Sequence, residues 1–378
     1  MRILVINNVY PSEKDPTSYV FVENQTIALK KHNIIPIVLD IDLRSYKHKR
    51  KLGIFREIYN GVVVYRYSIP LGYVHNKFIV KLLNKIIGKI AYKKIIKKEG
   101  KINLIQAHFG ILSGYAALQI YKSYRIPYII TEHHSKVLNM DNKDLKKYMD
   151  IYNNAKRVIV VGIGLKNKLD KIVNKETIIV PNVIDVNKFT IINISKEKKK
   201  FTFLSIGHLI PSKNHELLLK AYSSIEKQNP NVELIIVGEG YLKKELIELS
   251  KKLQIKNVKF IDRINNNELP LVYNKANCFV LPSKFETFGV VYAEALSCGI
   301  PVISTKCGGP ELFVNKSNGY LIDNDNYEQL VISMKNMIKN YSNFSKKDIR
   351  ESIINICSED MFYRNMKKII NEAIKNEN

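Results

Sequence analysis

Two glutamates, Glu286 and Glu294, lie eight positions apart in segment 278–304, the part of the sequence whose residue types best suit ligand chemistry. The apolar run 278–281 leads into a polar loop that carries Glu286, and Glu294 follows in an apolar stretch predicted to be helical. A helical rise of roughly 1.5 Å per residue places the two carboxylates at most about 12 Å apart. That separation suits two parts of one extended ligand and is too long for a pair acting on a single bond.

Small or apolar residues surround Glu294 in the predicted helix. A carboxylate in such surroundings loses hydration and needs hydrogen-bond donors, which the hydroxyls of a ligand can supply. The amides of Phe288, Gly289 and Val290 begin this helix, where free N–H groups favour phosphate or oriented hydroxyls. The alternative is a helix with one capping glutamate, Glu286, and one solvated glutamate, Glu294. The segment as a whole favours a ligand site.

Two series of short β-branched runs, with helical stretches between them, must position these side chains. The first series comprises 3–6, 35–39, 62–65, 104–106, 128–130, 158–161 and 178–180. The second comprises 201–206, 234–237, 258–261, 278–281, 301–304 and 320–322. The basic stretch 193–200 between them is the predicted linker. The pattern predicts an α/β protein of two doubly wound, Rossmann-like domains that face each other across a cleft, with loops 237–240 and 282–289 facing the cleft.

The composition is that of a globular protein long enough for two cores, with 378 residues, 46% of them hydrophobic. No run of 18 apolar residues indicates a membrane span, and Asn7 and Asn8 interrupt the first apolar run, which we interpret as a β-strand. We therefore expect a cytoplasmic protein. The four cysteines have no paired short spacing, and three of them lie in apolar or small-residue surroundings that indicate plain packing, so we expect neither disulfides nor a zinc site.

The formal net charge of +25 attracts polyanions in general: nucleic acid, anionic lipid or phosphorylated substrates. Residues 44–101 hold 16 Lys or Arg against two acids, and lysine recurs at every fourth position from Lys77 to Lys97. Apolar residues lie between these lysines: Ile79, Leu82, Leu83, Ile86 and Ile90. Such a helix either rests on an anionic membrane surface or packs on a core with a solvated basic face. The sequence leaves both open.

The motif Glu286-x7-Glu294, followed by Gly-Gly-Pro-Glu at 308–311, resembles the signature of the family 4 retaining glycosyltransferases, also described as glycosyl transferases group 1, with the GT-B fold. Further matches occur in the same order along nearly the whole chain. They are Tyr10-Pro11, Phe21-Val22-x2-Gln25, Ala107-His108, Pro181-Asn182-x2-Asp185, Gly207-x5-Lys213 and Val237-Gly238-x-Gly240. One such fragment would be weak evidence, but the occurrence of all of them in this order is specific for the family.

The resemblance implies retaining transfer of a hexose or N-acetylhexosamine from a UDP- or GDP-sugar to a glycan or lipid-linked acceptor, in surface polysaccharide or glycolipid synthesis. It implies no cofactor and no metal. It also implies an acceptor-binding domain over 1–190, a nucleotide-sugar-binding domain over 191–355, and a C-terminal helix over 356–378 that packs back on the first domain. A lipid-linked acceptor would suit peripheral attachment of 44–101 to the inner face of the cell membrane.

Carried over to this sequence, the family pattern implies that Glu294 holds the ribose hydroxyls and that Glu286 contacts hydroxyls of the donor sugar. Lys213 neutralises the diphosphate, since the leaving group gains negative charge as the glycosidic bond breaks. His108 faces the donor sugar and the acceptor, so the implied catalytic residues are His108, Glu286 and Lys213. The remaining implied donor-binding residues are His208, Gly238, Gly240, Phe288, Gly289 and Val290.

Two positions depart from the family pattern. His208 stands where an arginine usually accompanies the lysine, and a neutral imidazole donates one hydrogen bond where arginine presents a charged fork. Loop 11–19 lacks the usual paired glycine, so Thr17 and Ser18 are expected to offer hydroxyls to the diphosphate.

Residues 132–134 follow a predicted strand, and we expect Glu132 and His133 on the acceptor side. Adjacent histidines point in different directions, so they are a poor metal site. Asp40-Ile41-Asp42 has the spacing of a metal motif, but we interpret it as the end of a strand.

Two rival functions remain. A sugar-nucleotide epimerase of the GT-B type would share the architecture, and product analysis without acceptor would distinguish it. A basic nucleic-acid-binding protein is suggested by the charge alone, and the sequence contains no helix-turn-helix, zinc-finger or RNA-recognition signature. We therefore expect no nucleic acid among the partners.

Overall fold

The chain forms two compact units in the computed structural model, which describes residues 1–45, 47–71, 77–194 and 200–375. The first unit comprises Met1–Val161, Leu165–Val183 and Glu359–Asn378. The second comprises Gly162–Gly164 and Ile184–Ser358. Of the predicted linker, residues 195–199 lie outside the described residues. Each unit has its own sheet and its own hydrophobic core.

The strands of the first unit are β1 (Arg2–Asn7), β2 (Ile35–Asp42), β3 (Gly53–Tyr59), β4 (Val62–Ser68), β5 (Leu104–His108), β6 (Tyr128–Glu132), β7 (Arg157–Val160) and β8 (Ile178–Ile179). Those of the second are β9 (Phe201–Ile206), β10 (Val232–Val237), β11 (Val258–Ile261), β12 (Cys278–Leu281), β13 (Val302–Thr305) and β14 (Gly319–Ile322).

The helices are α1 (Val20–Lys31), α2 (Lys77–Glu99), α3 (Gly114–Tyr124), α4 (Ser135–Asn139), α5 (Asn142–Lys146), α6 (Met149–Asn154), α7 (Ile163–Leu169), α8 (His215–Gln228), α9 (Lys243–Lys252), α10 (Leu269–Lys275), α11 (Val290–Ser297), α12 (Tyr327–Lys339), α13 (Lys346–Cys357) and α14 (Glu359–Lys375). A short π-helix, Phe109–Ser113, precedes α3.

The sheet of the first unit has the order β3-β4-β2-β1-β5-β6-β7-β8, and every pair is parallel except β3 with β4. The strands after β1 are added on one side of it as far as β4, and those from β5 onward are added on the other side. The topological switch point of the unit therefore lies between β1 and β5. Helix α1 packs against α14, and α2 packs against α3. Gly88 permits that second contact, because a Cβ there would lie 2.7 Å from the Cβ of Ala116.

The sheet of the second unit is wholly parallel, in the order β11-β10-β9-β12-β13-β14. Counted within the unit, this is the doubly wound order 3-2-1-4-5-6, whose switch point lies between β9 and β12. The loops that follow β9 and β12 carry Lys213 and Glu286. The parallel topology therefore brings these two residues to one edge of one sheet.

The structure confirms the α/β class and the doubly wound character of both units. Each predicted strand is present, and Asp40-Ile41-Asp42 does end β2. All four cysteines are free and buried. The sequence analysis missed β3, which forms a hairpin with β4 around Asn60 and Gly61, both at positive φ. Within the described ranges, no helix combines the length and apolar character that crossing a bilayer requires.

Candidate active site

Lys213 ends the loop after β9, in a single 3₁₀ turn at Pro211–Lys213. Asn214 then takes a left-handed conformation with φ of 54°, from which α8 begins. The Lys284 amide donates a hydrogen bond of 2.8 Å to the Ser212 carbonyl, which joins this loop to the one after β12. Two connected loops therefore lie at the switch point of the second unit, at the carboxyl ends of the strands. Doubly wound sheets bind ligands at this position.

Lys213 and Glu286 form an ion pair at this switch point, with Nζ 2.5 Å from Oε1. Their side chains are only 19% and 11% exposed. The Ser283 hydroxyl donates to the same carboxylate oxygen at 2.8 Å, and the Glu286 amide donates to the Cys307 carbonyl at 2.9 Å. Both charges are thus fixed and mutually neutralised, and an anion that binds Lys213 must displace or rearrange the pair.

Gly238 and Gly240 pack against the loop that carries Lys213. A Cβ on Gly238 would overlap the carbonyl oxygen of Gly207, and one on Gly240 would overlap that of Leu209. Two backbone hydrogen bonds, Gly207 N–H to Val237 O at 3.0 Å and Leu209 N–H to Glu239 O at 2.8 Å, hold the strand ends together. These glycines therefore permit the close approach of two loops, which sets the position of the lysine.

Helix α11 begins at Val290, shortly after Glu286 in the sequence, and its N-cap is Gly289 with φ of 87°. A side chain at that position would be strained, and its Cβ would lie 2.7 Å from the Tyr292 ring. Phe288 is buried against Phe313 and anchors the entry to the helix. No side chain in the described part of the chain caps α11, and its first turn has no acidic residue. The N–H groups of that turn, which include the Val290 amide, remain suited to an anion or to hydroxyls.

Glu294 is half-buried in α11, and the Tyr273 hydroxyl donates a hydrogen bond of 2.9 Å to its Oε2. Burial raises the pKa of the Glu294 carboxyl to about 7, although Tyr273 and the nearby charge of Lys188 oppose this. The carboxyl is therefore close to the balance between its neutral and ionised forms at neutral pH, and a ligand that donates hydrogen bonds would favour the ionised form.

His208 and His215 flank Lys213. The side chain of His208 is exposed, while His215 is buried and neither ring nitrogen has a hydrogen-bond partner among the described residues. Burial, together with the charge of Lys213, lowers the pKa of His215 to about 4. His215 is therefore neutral at physiological pH. The sequence analysis did not single it out, because a histidine in the first turn of an amphipathic helix has no distinctive pattern.

His108 ends β5 at the switch point of the first unit, and its Nδ1 lies 2.9 Å from Nε2 of His133. Both rings are buried. Burial lowers the pKa of His108 to about 3 and holds that of His133 well below its ordinary value. Both imidazoles are therefore neutral, and one proton is shared in a hydrogen bond between them. The next residue, Phe109, has φ of 66° at the start of the π-helix, so backbone strain lies beside His108.

Glu132 is fully buried at the end of β6, and protein groups occupy both of its oxygens. Oε1 accepts from the amides of His133 at 3.0 Å and His134 at 2.8 Å. Oε2 accepts from the Gly110 amide at 2.9 Å and the Tyr152 hydroxyl at 2.6 Å. Burial raises the pKa of Glu132, and these four donors oppose the rise. The carboxyl thus braces the two loops that carry His108 and His133.

Loop 11–19 of the first unit follows β1. Thr17 is exposed and Ser18 is half-buried, and Tyr19 adopts a left-handed conformation with φ of 53° at the N-cap of α1. A non-glycine residue thus occupies a conformation that glycine would adopt without strain.

Arg66 anchors the start of this loop, because its guanidinium donates to the Tyr10 carbonyl at 2.8 Å and the Pro11 carbonyl at 2.6 Å. The same guanidinium pairs with the buried Asp40 at 2.8 Å. The sequence analysis missed this role of Arg66, whose only signal was a charge directly after the predicted strand 62–65. Among the residues described, no group of three or more His, Cys, Asp or Glu is placed to hold a metal ion.

Comparison with known proteins relates the two halves of the chain to two family models. Residues 45–188 match Glycosyltransferase Family 4, and residues 187–355 match Glycosyl transferases group 1. The chain is 37% identical over 145 residues to N-acetylgalactosamine-N,N'-diacetylbacillosaminyl-diphospho-undecaprenol 4-alpha-N-acetylgalactosaminyltransferase of Campylobacter jejuni, covering 38% of each chain.

Solved structures resemble the chain over its full length. Sucrose-phosphate synthase from Thermosynechococcus elongatus aligns with a TM-score of 0.82 at 19% identity, covering 100% of both chains. The Anabaena protein HepE in complex with UDP and glucose aligns with a TM-score of 0.73 at 17% identity, covering 98% of this chain and 99% of the other. At these identities the likeness shows the fold.

Proposed function

The chain belongs to the family 4, group 1 glycosyltransferases of the GT-B fold, and we propose that it transfers a hexose or an N-acetylhexosamine from a nucleoside diphosphate sugar to a glycan or lipid-linked acceptor with retention of configuration. The observation that carries this proposal is the Lys213–Glu286 ion pair at the switch point of the second unit. In the same unit, α11 offers an uncapped N-terminus and a half-buried carboxylate, Glu294.

In the proposed donor complex, Lys213 leaves Glu286 to neutralise the diphosphate, and Glu286 accepts hydrogen bonds from hydroxyls of the sugar. The amides of Gly289 and Val290 orient the phosphates. Charge develops on the leaving diphosphate as the bond to the anomeric carbon breaks, and a cation already fixed at that point stabilises it without reorganisation. The buried setting of Lys213 strengthens this effect.

We propose that Glu294 accepts hydrogen bonds from the ribose hydroxyls. Tyr273 already occupies Oε2, so Oε1 is the oxygen assigned to the nucleotide. Hydroxyls donate to the ionised carboxylate, so nucleotide binding should pull the pKa of Glu294 below its unliganded value of about 7.

We assign to His108 a hydrogen bond from Nε2–H to a sugar hydroxyl. His133 Nδ1 is buried and has no hydrogen-bond partner in the described part of the chain, so a proton there would be an unsatisfied donor. The shared proton is therefore assigned to His133 Nε2, which donates to His108 Nδ1, and His108 keeps its own proton on Nε2. His133 is a positioning residue in this scheme.

The transfer step needs no side-chain nucleophile. The acceptor oxygen attacks the anomeric carbon on the face from which the diphosphate leaves, the carbon–oxygen bond to phosphate breaks, and the leaving phosphate oxygen takes the acceptor's proton. Because attack and departure take place on the same face, the configuration of the anomeric carbon is retained.

A lipid-linked acceptor is favoured by the Campylobacter jejuni relative, whose name places its acceptor sugar on diphospho-undecaprenol. HepE binds UDP and glucose, which makes a UDP-sugar the first donor to test. We therefore propose that the protein works at the inner face of the cell membrane, in the synthesis of surface polysaccharide or glycolipid.

The test is calorimetric binding of UDP-, GDP-, ADP- and CMP-sugars to the wild type, to Glu294→Gln and to the control Glu248→Gln on the exposed side of α9. We expect one nucleotide to bind the wild type and the control, with a loss of about 30-fold in Glu294→Gln, equal to about 2 kcal/mol. Binding to none of the panel would contradict the proposal. Release of an epimerised sugar nucleotide in the absence of acceptor would replace transfer with epimerisation.

A further inference from the structure

Exposed apolar side chains are concentrated on one part of the first unit. Among the described residues, 15 large hydrophobic side chains are exposed, and eight of them fall between residues 52 and 90. Five lie on α2: Phe78, Ile79, Leu82, Ile86 and Ile90. The other three, Leu52, Ile54 and Ile58, lie on β3 or just before it. Scattered exposed hydrophobics are ordinary, but a contiguous group marks an interaction surface.

The exposed face of α2 is divided along its length. Its inner face is occupied by buried residues such as Ile87, Ala91 and Ile95, which pack on the body of the unit. At 100° per residue, Leu82, Ile86 and Ile90 share the outer face with Lys89, Lys93 and Lys97. These three lysines are exposed. The outer face is therefore mainly apolar from 78 to 90, a length of about 18 Å, and basic from Lys89 to Lys97.

Strand β3 continues this surface. Ile54, Arg56 and Ile58 alternate onto one face of the strand, and Arg56 pairs with Glu99 at the end of α2 at 2.9 Å. The two isoleucines, 55% and 66% exposed, thus lie on the side of the sheet that α2 covers. The nearby loop adds His48 and Lys49, which line an open depression together with Lys14, while Arg50 beneath it is buried in an ion pair with Asp42.

We propose that the outer face of α2 and the exposed isoleucines of β3 form a docking surface for an anionic lipid bilayer. The apolar stretch enters the boundary between headgroups and acyl chains, and the lysines beyond it contact the anionic headgroups. The helix packs on the unit through its inner face, and the exposed apolar residues of its outer face favour the membrane interpretation of the lysine pattern. Residues 46 and 72–76 of the predicted basic region lie outside the described residues.

The bilayer is favoured over other occupants by charge complementarity. The surface combines exposed lysines with large apolar side chains, and the acids that α2 and β3 themselves contribute are both paired, Glu99 with Arg56 and Glu57 with Arg66. Nucleic acid would use the lysines and leave the isoleucines in water. This inference deepens the proposed function, because it names the surface through which the enzyme reaches a lipid-linked acceptor, but vesicle binding requires neither donor nor turnover.

The experiment is co-sedimentation of the full chain with vesicles of phosphatidylcholine, with and without 30 mol % phosphatidylglycerol, at low and high salt. We expect binding only to the anionic vesicles, weakened by salt. Ile86→Ser and Ile90→Ser should each weaken it about tenfold, and Lys93→Ser and Lys97→Ser about fivefold each. Ile332→Ser, an equally exposed isoleucine on α12, is the matched control and should bind as the wild type does.

Three results would overturn the inference. They are no binding to anionic vesicles at low salt, equal binding by Ile86→Ser and the wild type, and a vesicle-free dimer that Ile86→Ser dissociates, which would assign the surface to a second copy of the chain. All variants change exposed side chains, so equal melting temperatures check their folding. Normal donor binding with no vesicle binding would remove this inference and leave the proposed function standing.

Discussion

The two units have the same doubly wound plan, yet they treat the groups at their switch points in opposite ways. In the first unit, His108 and His133 are neutral and buried, and Glu132 is saturated by four protein donors. In the second, Lys213 and Glu286 are ionised partners, and Glu294 accepts one hydrogen bond from the described residues, that of Tyr273 on Oε2. One switch point is completed by the protein itself, while the other retains charge and hydrogen-bonding capacity.

This difference separates positioning from binding. A buried carboxylate with all its acceptor sites filled stabilises the loops around it and has little left to offer a ligand. An ion pair at a sheet edge can exchange one partner for a charged ligand, since the lysine gains a diphosphate as it loses the glutamate. We therefore expect substitutions in the first unit to act on stability and geometry, and those in the second to act on donor binding and turnover.

The largest expected effect is that of Lys213→Met. Removing the cation that stabilises the leaving diphosphate should lower kcat/KM by about 10³-fold, or about 4 kcal/mol. The double variant with Glu286→Gln removes the carboxylate that the single change leaves unpaired. The control is Lys220→Met, which removes an exposed lysine of α8 paired with Glu216. A loss of kcat/KM below tenfold in Lys213→Met would contradict the proposed difference between the two switch points.

Glu132→Ala should act mainly on stability. It leaves four donors without an acceptor in a buried site, which we expect to lower the free energy of unfolding of the first unit by about 3 kcal/mol in denaturant titrations. Glu176→Ala, at a glutamate whose side chain is 84% exposed, is the control and should change it by less than about 0.5 kcal/mol. A folded Glu132→Ala variant of unchanged stability would show that Glu132 does not stabilise the loops that carry His108 and His133.

Donor binding should depend on pH. The ribose hydroxyls require ionised Glu294, whose pKa is about 7, so affinity should be full above that pH and about tenfold lower at pH 6. Tyr273 lowers this pKa, so Tyr273→Phe should move the midpoint to higher pH, and Glu294→Gln should abolish the dependence. Calorimetric titration of the wild type and both variants with the nucleotide, from pH 5.5 to 8.5, measures these three pH dependences. A pH-independent affinity in the wild type would contradict the role of Glu294.

The smallest expected effect is that of His133→Phe, which keeps a ring against Phe21 and Phe109 but removes the partner of His108 Nδ1. We expect kcat to fall about fivefold with the KM for the donor unchanged, because the orientation of His108 is lost and the second unit is untouched. Nitrogen-15 NMR of the wild type should show the His108 proton on Nε2. A proton on Nδ1 would reverse the assigned hydrogen bond.

Local sequence patterns were sufficient for most of the fold. Buried parallel strands are β-branched runs, and such runs predicted every strand except β3. Strand β3 lies at the edge of its sheet and mixes charged, aromatic and apolar residues, so it has no apolar run to detect. The Asn60-Gly61 pair was its available signal, since this dipeptide favours the tight turns of hairpins.

The site was predictable only in part. Lys213, Glu286 and Glu294 belong to motifs of fixed spacing and could be found from the sequence. Their partners Ser283 and Tyr273, and the tyrosine that bonds Glu132, could not, because a hydroxyl meets a carboxylate through tertiary packing that leaves no local pattern. The same applies to Arg66, whose link to Asp40 joins neighbouring strands across 26 positions of sequence.

The central claim is that the donor binds at the switch point of the second unit. Hydrogen exchange, read by mass spectrometry with and without a saturating nucleotide sugar, tests it most directly. We predict protection of the amides in 207–213 and 286–291, little change in 104–113 and 128–134, and loss of the protection in Lys213→Met. Protection confined to the first unit, or none in 286–291 at saturation, would contradict the account.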